Sequence, residues 1–127
     1  MYQTLGLPLL IRILLQADGK SGSPSGPMEL EPAFKRIMMY LFVGMRGGQN
    51  RARIVELLKK EPCNANKIAE NLALDYKTVR HHLKSLEENG VIVASAREAY
   101  GAVYFLTVYF DRYFPVIRKM WVGFGHS

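Results

Sequence analysis

The clearest pattern along the chain is an apolar stripe at helical spacing within the run DYKTVRHHLKSLEENG, residues 75–90. Val79, Leu83 and Leu86 fall on one face of a helix, and we expect that face to pack inward. Asp75 can accept hydrogen bonds from the first free backbone N–H groups, and Gly90 can adopt the left-handed turn that ends a helix. The pattern therefore predicts an amphipathic helix with a signal at each end.

The opposite face of this helix is polar and basic, and its hydrogen-bond donors gather near the N-terminal end. Its residues are Tyr76, Lys77, Thr78, Arg80, His81 and Lys84. A helix that enters the major groove of DNA presents its N-terminal residues to base edges. This face is therefore a candidate for DNA recognition. An ordinary amphipathic helix with a solvated basic face has the same pattern, so the neighbouring elements have to distinguish the two interpretations.

Two shorter helices are predicted before it. Apolar spacing indicates one over residues 51–60, capped by Asn50, and another over 65–72, capped by Asn64. The second is short and is joined to the basic helix by a tight turn, which together make a helix-turn-helix. Arg51 and Arg53 lie in the first turn of the 51–60 helix, where a cation opposes the helix dipole. Contact with phosphate would offset that cost, and a solvated position is equally consistent.

Beyond residue 90 the hydrophobic pattern changes its period. Residues 91–93 and 102–106 are β-prone runs on either side of the sequence REAYG, so they predict a hairpin with its turn near residues 98–101. A hairpin directly after a recognition helix is a wing. Arg97 near its tip can reach a minor groove or a phosphate, or it can simply solubilise the turn.

Apolar helices are predicted on both sides of this unit. Residues 32–45 carry a wide stripe rich in Met and Phe, which can serve the core or a dimer interface. Thr107 can cap a final helix over residues 108–122, which Pro115 would kink or split. That helix is heavily aromatic and offers more apolar surface than one small domain is expected to cover. We expect a second subunit to bury it, with docking on a membrane surface as the weaker alternative.

The first 32 residues are expected to form an apolar segment and a flexible linker. The apolar run at residues 5–15 is shorter than the roughly 20 residues that span a membrane, and it lacks the features of a secretion signal. It can dock on the domain, bind a partner or be unstructured. The predicted organisation is therefore residues 1–32 as segment and linker, 33–107 as the DNA-binding domain, and 108–127 as an aromatic dimerisation helix.

Composition favours an anionic partner. The chain has 127 residues and a formal net charge of +6. Residues 46–84 hold nine Lys and Arg against four Asp and Glu, a balance of +5 that coincides with the predicted helix-turn-helix. Such charge suits nucleic acid or an acidic membrane surface. The single cysteine, Cys63, excludes an intramolecular disulfide, so we expect a reduced, cytoplasmic setting.

The order helix, helix-turn-helix, wing resembles that of archaeal ArsR-like winged helix-turn-helix regulators. The resemblance is carried by RGGQNRARIVELL (46–58), NANKIAENLALDYKTVRHHLKSLEENGVI (64–92) and YGAVYFLT (100–107). It implies a mainly α fold with a small β-hairpin wing and extra N- and C-terminal helices. It also implies a homodimer that binds double-stranded DNA and regulates transcription, with DNA contacts at Tyr76, Lys77, Thr78, Arg80 and His81.

The sequence shows no residue pattern typical of a metal-binding site or of a catalytic site. Metal-sensing members of that family carry Cys-x-Cys in the recognition helix or Asp/His pairs on a terminal helix. Here that helix has no cysteine, Asp111 and His126 are isolated, and the adjacent His81 and His82 point to different helix faces. We therefore expect no metal, cofactor or catalytic site, with His81 facing DNA and His82 partly packed. The competing interpretation is a winged-helix protein-interaction module that docks to transcription machinery.

Overall fold

The computed structural model describes residues 30–44, 46–95 and 101–123. Residues 1–29 of the predicted N-terminal segment, residues 96–100 of the predicted wing, which include Arg97, and residues 124–127 lie outside these ranges. The elements are α1 (Pro32–Met39), a π-helical turn (Tyr40–Gly44), α2 (Gly48–Lys60), β1 (Cys63–Asn64), α3 (Ala65–Leu72), α4 (Tyr76–Glu88), β2 (Ile92–Ala94), β3 (Val103–Leu106), α5 (Val108–Arg112) and α6 (Phe114–Gly123). The predicted class, mainly α with a small β wing and flanking helices, is confirmed.

Side-chain caps begin three of these helices where the sequence predicts them. The Asn64 side chain accepts a hydrogen bond from the Lys67 backbone N–H at 2.8 Å and begins α3. Asp75 does the same for α4 at 3.2 Å, and Thr107 for α5 at 3.2 Å. Each cap satisfies a backbone donor that has no partner inside its helix. At the far end of α4, Gly90 has a φ of +74°, as predicted for the turn into the wing.

The wing belongs to a three-stranded antiparallel sheet in the order β1-β3-β2. Strands β2 and β3 form the predicted hairpin, with Val93 opposite Phe105. Strand β1 has only two residues, Cys63 and Asn64, and it pairs with β3 opposite Tyr104 and Val103. The sequence does not predict β1, because two residues are too few to show an alternating pattern. Cys63 is buried there, and burial is the main reason that the pKa of its thiol is raised.

Helix α2 begins earlier than predicted. It begins at Gly48, and Gly47 precedes it with a φ of +87°. Asn50 lies inside the helix and does not cap it, so that prediction is wrong. Gly48 packs against the backbone of the π-helical turn: an added Cβ would lie 2.6 Å from the Phe42 carbonyl oxygen. The close approach of the two segments, and not a capping side chain, sets where α2 begins.

The N-terminal helix is also different in detail. The prediction of one α-helix over residues 32–45 holds as far as Met39, after which the backbone continues as the π-helical turn to Gly44. Met45 lies outside the described ranges. The wide apolar stripe is core, since Phe34, Met38, Leu41 and Phe42 are all buried.

The aromatic C-terminal region packs on this stripe. The predicted helix is split near Pro115 into α5 and α6. Phe110, Phe114, Ile117 and Trp121 are buried inside the chain, and the Trp121 ring lies 4.8 Å from the Phe42 ring, measured between centroids. The expectation that one domain cannot cover this surface is therefore wrong for these four residues, because the first helix supplies the facing apolar surface. Dimerisation through residues 108–127 stays a prediction.

None of the helices within the described ranges combines the length and the hydropathy that crossing a membrane requires.

Candidate nucleic-acid interface

Helix α4 presents its polar face to solvent. Val79, Leu83 and Leu86 are each at most 1% exposed and turn inward. The residues predicted to contact DNA lie on the exposed side, and all six are exposed: Tyr76, Lys77, Thr78, Arg80, His81 and Lys84. The structure thus brings together every predicted site residue of this helix. Arg97, predicted at the wing, lies outside the described residues.

The charge along this face is uneven. Lys77, Arg80 and Lys84 supply three cations between residues 76 and 84, where the helix has no acidic residue. Glu87 and Glu88 follow at the C-terminal end. The N-terminal end of a helix also carries a partial positive charge from its unpaired backbone N–H groups. The first two-thirds of α4 therefore form a convex positive surface of the kind that suits a major groove.

A shallow groove of about 370 Å³ runs between α4 and strand β3. Its lining residues are Lys77, Arg80, His81, Leu83, Lys84, Glu87 and Tyr104. The Arg80 guanidinium crosses it, and its Nη1 donates a hydrogen bond to the Tyr104 hydroxyl at 2.9 Å. Nothing in the hydrophobic pattern of the chain marks Tyr104 as a site residue. Strand alternation places Tyr104 on the face opposite to Val103 and Phe105, which is the one sequence signal that separates it from its neighbours.

Arg51 lies beneath this face and not on it. Its side chain is 1% exposed. Nε donates to the Leu41 carbonyl at 2.8 Å, Nη2 to the Arg46 carbonyl at 3.1 Å, and Nη1 contacts His82 Nδ1 at 3.1 Å. Both earlier interpretations of Arg51, phosphate contact and a solvated position, are wrong. Its hydrogen bonds hold the end of the first helix, the start of α2 and the inner side of α4 together.

His82 is the buried partner in this contact. It is 5% exposed, which confirms that it is packed. Because an arginine can only donate, the 3.1 Å contact requires an unprotonated Nδ1, so the ring is neutral with its proton on Nε2. Burial, followed by the charges of Arg51 and His81, lowers the pKa of His82 from its usual 6.5. The neutral ring is therefore the form that suits the native packing.

Arg53 is tied down as well. Its Nη1 donates to Asn50 Oδ1 at 3.0 Å, and its Nη2 donates to the Leu72 carbonyl at 2.8 Å. Leu72 is the last residue of α3, so this contact satisfies a carbonyl that has no partner inside its helix. Arg53 is thus partly buried and hydrogen-bonded within the chain, so it is not a plain solvated cation, and its contact with phosphate stays a prediction.

Within the described ranges, no three His, Cys, Asp or Glu side chains are grouped closely enough to hold a metal ion.

The region that contains the helix-turn-helix matches a known protein family. Residues 48–93 match the family described as "Bacterial regulatory protein, arsR family". The match spans α2, β1, α3 and α4 and reaches β2, so it contains the whole predicted recognition face. No curated protein matches the chain.

Solved structures give the same architecture. The AbfR protein of Staphylococcus epidermidis is 20% identical, with a TM-score of 0.54 over 91% of this chain and 73% of that one. Mb0332 of Mycobacterium bovis, described as a homodimeric winged helix-turn-helix DNA-binding domain, is 16% identical, with a TM-score of 0.54 over 81% of this chain and 94% of that one. The chain therefore has the winged helix-turn-helix fold. Rv0081 of M. tuberculosis is similar to this winged helix, at 18% identity and a TM-score of 0.53 over 74% and 92% of the two chains.

In this winged helix, α3 and α4 form the helix-turn-helix and β2 and β3 form the wing. The turn between the two helices includes Ala73, which has a φ of +55°. The α3 cap, the turn and the α4 cap place the polar face of α4 outward, and Arg51 and His82 support it from the inner side.

Proposed function

We propose that this protein is a sequence-specific, double-stranded DNA-binding transcriptional regulator that acts as a homodimer. The observation that carries the proposal is the exposed face of α4, which gathers three cations and three further hydrogen-bonding side chains on one convex surface. The match of residues 48–93 to the arsR family supports it. We also propose that the protein is related to archaeal ArsR-like regulators and that it is cytoplasmic, as the sequence suggests.

Different residues of the face take different roles in this proposal. Lys77, Arg80 and Lys84 bind phosphates or guanine edges. Tyr76, Thr78 and His81 contact bases, with Arg97 reaching DNA from the wing. Phosphate contacts supply most of the affinity and make it depend on salt, whereas base contacts supply the sequence preference.

Homodimerisation is supported by apolar side chains that remain exposed on the outer helices. Tyr40 is 59% exposed, Val108 87% and Val122 47%. These residues belong to the π-helical turn after α1, to α5 and to α6. A second copy could bury them, and the similar Mb0332 domain is described as homodimeric. Sedimentation of the full chain at several concentrations tests this part, and a monomer at every concentration would refute it.

The DNA-binding part is tested by selection from a random duplex library, followed by titration of the enriched sequence at several salt concentrations. Arg80→Ala should weaken binding by about 1–3 kcal/mol and relax the preference at one base pair if Arg80 is bidentate to guanine. Lys84→Ala should weaken all sequences alike and reduce the salt slope by about one unit. Lys60→Ala, which removes an exposed cation from α2, is the charge-matched control. Equal affinity of wild type and an Arg80/Lys84 double variant would refute the assignment.

One observation favours the competing function, a protein-interaction module. Val93 and Phe105 are cross-strand partners on the outer side of the wing, and they are 48% and 40% exposed. An exposed apolar pair suits a protein surface better than phosphate. The duplex titration separates the two functions: an interaction module would show no enriched sequence and no binding that depends on salt.

A further inference from the structure

Tyr104 connects the sheet to the exposed face of α4. It lies in β3, the middle strand, between Cys63 of β1 and Ala94 of β2. It is 6% exposed, so its ring is packed, yet its hydroxyl reaches the groove and accepts the hydrogen bond from Arg80 Nη1 at 2.9 Å. A phenol anchored by strands on both sides is a rigid support for a long, exposed arginine.

We infer that Tyr104 is a positioning residue for DNA recognition, and that its hydroxyl holds the Arg80 guanidinium in the orientation in which Arg80 meets DNA. This inference rests on the proposed function. It adds a specificity-determining residue in the wing strand that makes no contact with DNA in the proposal. On the exposed face of α4, this hydrogen bond sets the direction of the Arg80 side chain before DNA binds.

The number of donors on arginine allows both contacts at once. A guanidinium has five N–H donors, and the bond to Tyr104 uses one of them, on Nη1. The edge formed by Nε and Nη2 keeps the paired geometry that matches the two acceptors of guanine or two oxygens of a phosphate. The tyrosine bond therefore selects which edge of Arg80 faces outward.

The chemistry of the acceptor matters as much as its position. Within the described ranges the ion pairs involve Lys59, Lys67 and Arg118, and none involves Arg80. A carboxylate in place of the phenol would fix the guanidinium but would also oppose an incoming phosphate. The neutral hydroxyl orients Arg80 and leaves its charge available. Glu87 lines the same groove without pairing to Arg80.

The Tyr104 contact is expected to raise the affinity for DNA because it restricts the Arg80 side chain before binding. Immobilising a rotamer-rich side chain at an interface costs about 0.5–1.5 kcal/mol, and a contact made in the free protein removes part of that cost in advance. At about 1.4 kcal/mol per tenfold change, removal of the hydroxyl should weaken binding to the preferred sequence about 2- to 12-fold. Binding to a scrambled duplex should change by less than about 2-fold, because phosphate attraction depends on charge and not on one fixed orientation.

The test uses Tyr104→Phe, which keeps the ring and removes only the hydroxyl. Tyr113→Phe removes a hydroxyl from a half-buried tyrosine between α5 and α6 and serves as the matched control. Affinities of the full chain are measured for the duplex selected by the wild type and for its scrambled form. The same measurements on Arg80→Ala and on the Arg80→Ala/Tyr104→Phe double variant complete a double-mutant cycle. Nitrogen-15 relaxation of Arg80 Nε in the free protein reports the orientation of the guanidinium without DNA.

The inference is supported if Tyr104→Phe loses preferred-site affinity, has no further effect in the Arg80→Ala background, and makes Arg80 Nε more mobile while Tyr113→Phe does none of these. It is overturned if Tyr104→Phe weakens both duplexes equally, if its effect persists without Arg80, or if Arg80 Nε is equally mobile in both proteins. Failure of the proposed function is distinguishable, because the wild type itself would then select no sequence. In that case the DNA role of Tyr104 fails with it, even if the relaxation data show an ordered Arg80.

Discussion

Replacing Arg51 with methionine tests whether the buried guanidinium holds the winged helix together. Methionine has a similar length and no charge, so it fills much of the space and removes every hydrogen bond. Three acceptors lose their donor: the carbonyls of Leu41 and Arg46, and Nδ1 of His82. These acceptors lie in three separate segments, so the substitution removes links that no local interaction replaces.

The expected loss of stability follows from the buried acceptors that no longer have a hydrogen-bond donor. Each buried acceptor without a partner costs about 1–3 kcal/mol. Burial lowers the pKa of Arg51, which shows that the charged form is itself disfavoured at this position, and its removal returns part of the cost. We therefore expect Arg51→Met to lower the free energy of unfolding by about 3 kcal/mol, a large share of the roughly 5–15 kcal/mol of a typical domain.

Urea unfolding at pH 7.5 measures this loss. With a slope of about 1–3 kcal/mol per molar urea, the midpoint should fall by at least about 1 M. Lys59→Met is the control on the same helix: Lys59 Nζ pairs with Asp111 Oδ1 at 2.7 Å, but the two side chains are 46% and 49% exposed. An exposed pair is worth at most about 1 kcal/mol. A loss for Arg51→Met no larger than that for Lys59→Met would refute the structural role of the buried contacts.

Two further predictions concern the same junction. Because burial and then Arg51 lower the pKa of His82, the unfolded chain binds a proton more readily than the folded one. The contribution of neutral His82 to the free energy of unfolding is therefore fully present above pH 6.5. It should decrease as the pH falls below 6.5, by at most about 1.4 kcal/mol per pH unit. Urea unfolding of His82→Asn should accordingly depend less on pH than that of the wild type. Gly48→Ala should lose about 1–3 kcal/mol, since its Cβ would lie 2.6 Å from the Phe42 carbonyl oxygen, whereas Gly44→Ala, with 3.7 Å to its nearest neighbour, should change little in the same assay.

The helix-turn-helix could be predicted from the sequence because its signals are local. A cap such as Asn64 or Asp75 acts on a backbone N–H three residues away, and the apolar stripe of α4 repeats within the helix itself. Interactions over so short a span form in the same way whatever packs around them. The exposed face follows from the same stripe, since burying one side of a helix turns the other outward.

Other features depended on residues distant in the chain. Arg51 appeared to be a surface cation because a single sequence does not show that the Leu41 and Arg46 carbonyls and His82 converge on it. Strand β1 exists only through its pairing with β3, and the link from Tyr104 to Arg80 joins residues 24 apart.

The sequence by itself thus determined the caps of α3, α4 and α5, the helical periods and the direction of the exposed basic face, all of which are set by neighbours within one or two turns. Only the tertiary structure decided which cations are exposed and can contact an anion, and which are buried and hydrogen-bonded inside the fold. Arg51 and Arg80 have the same side chain, but Arg51 is 1% exposed and bonded on three sides, whereas Arg80 is exposed beside a phenol. Burial depends on the packing of several segments at once, and no local pattern carries that information.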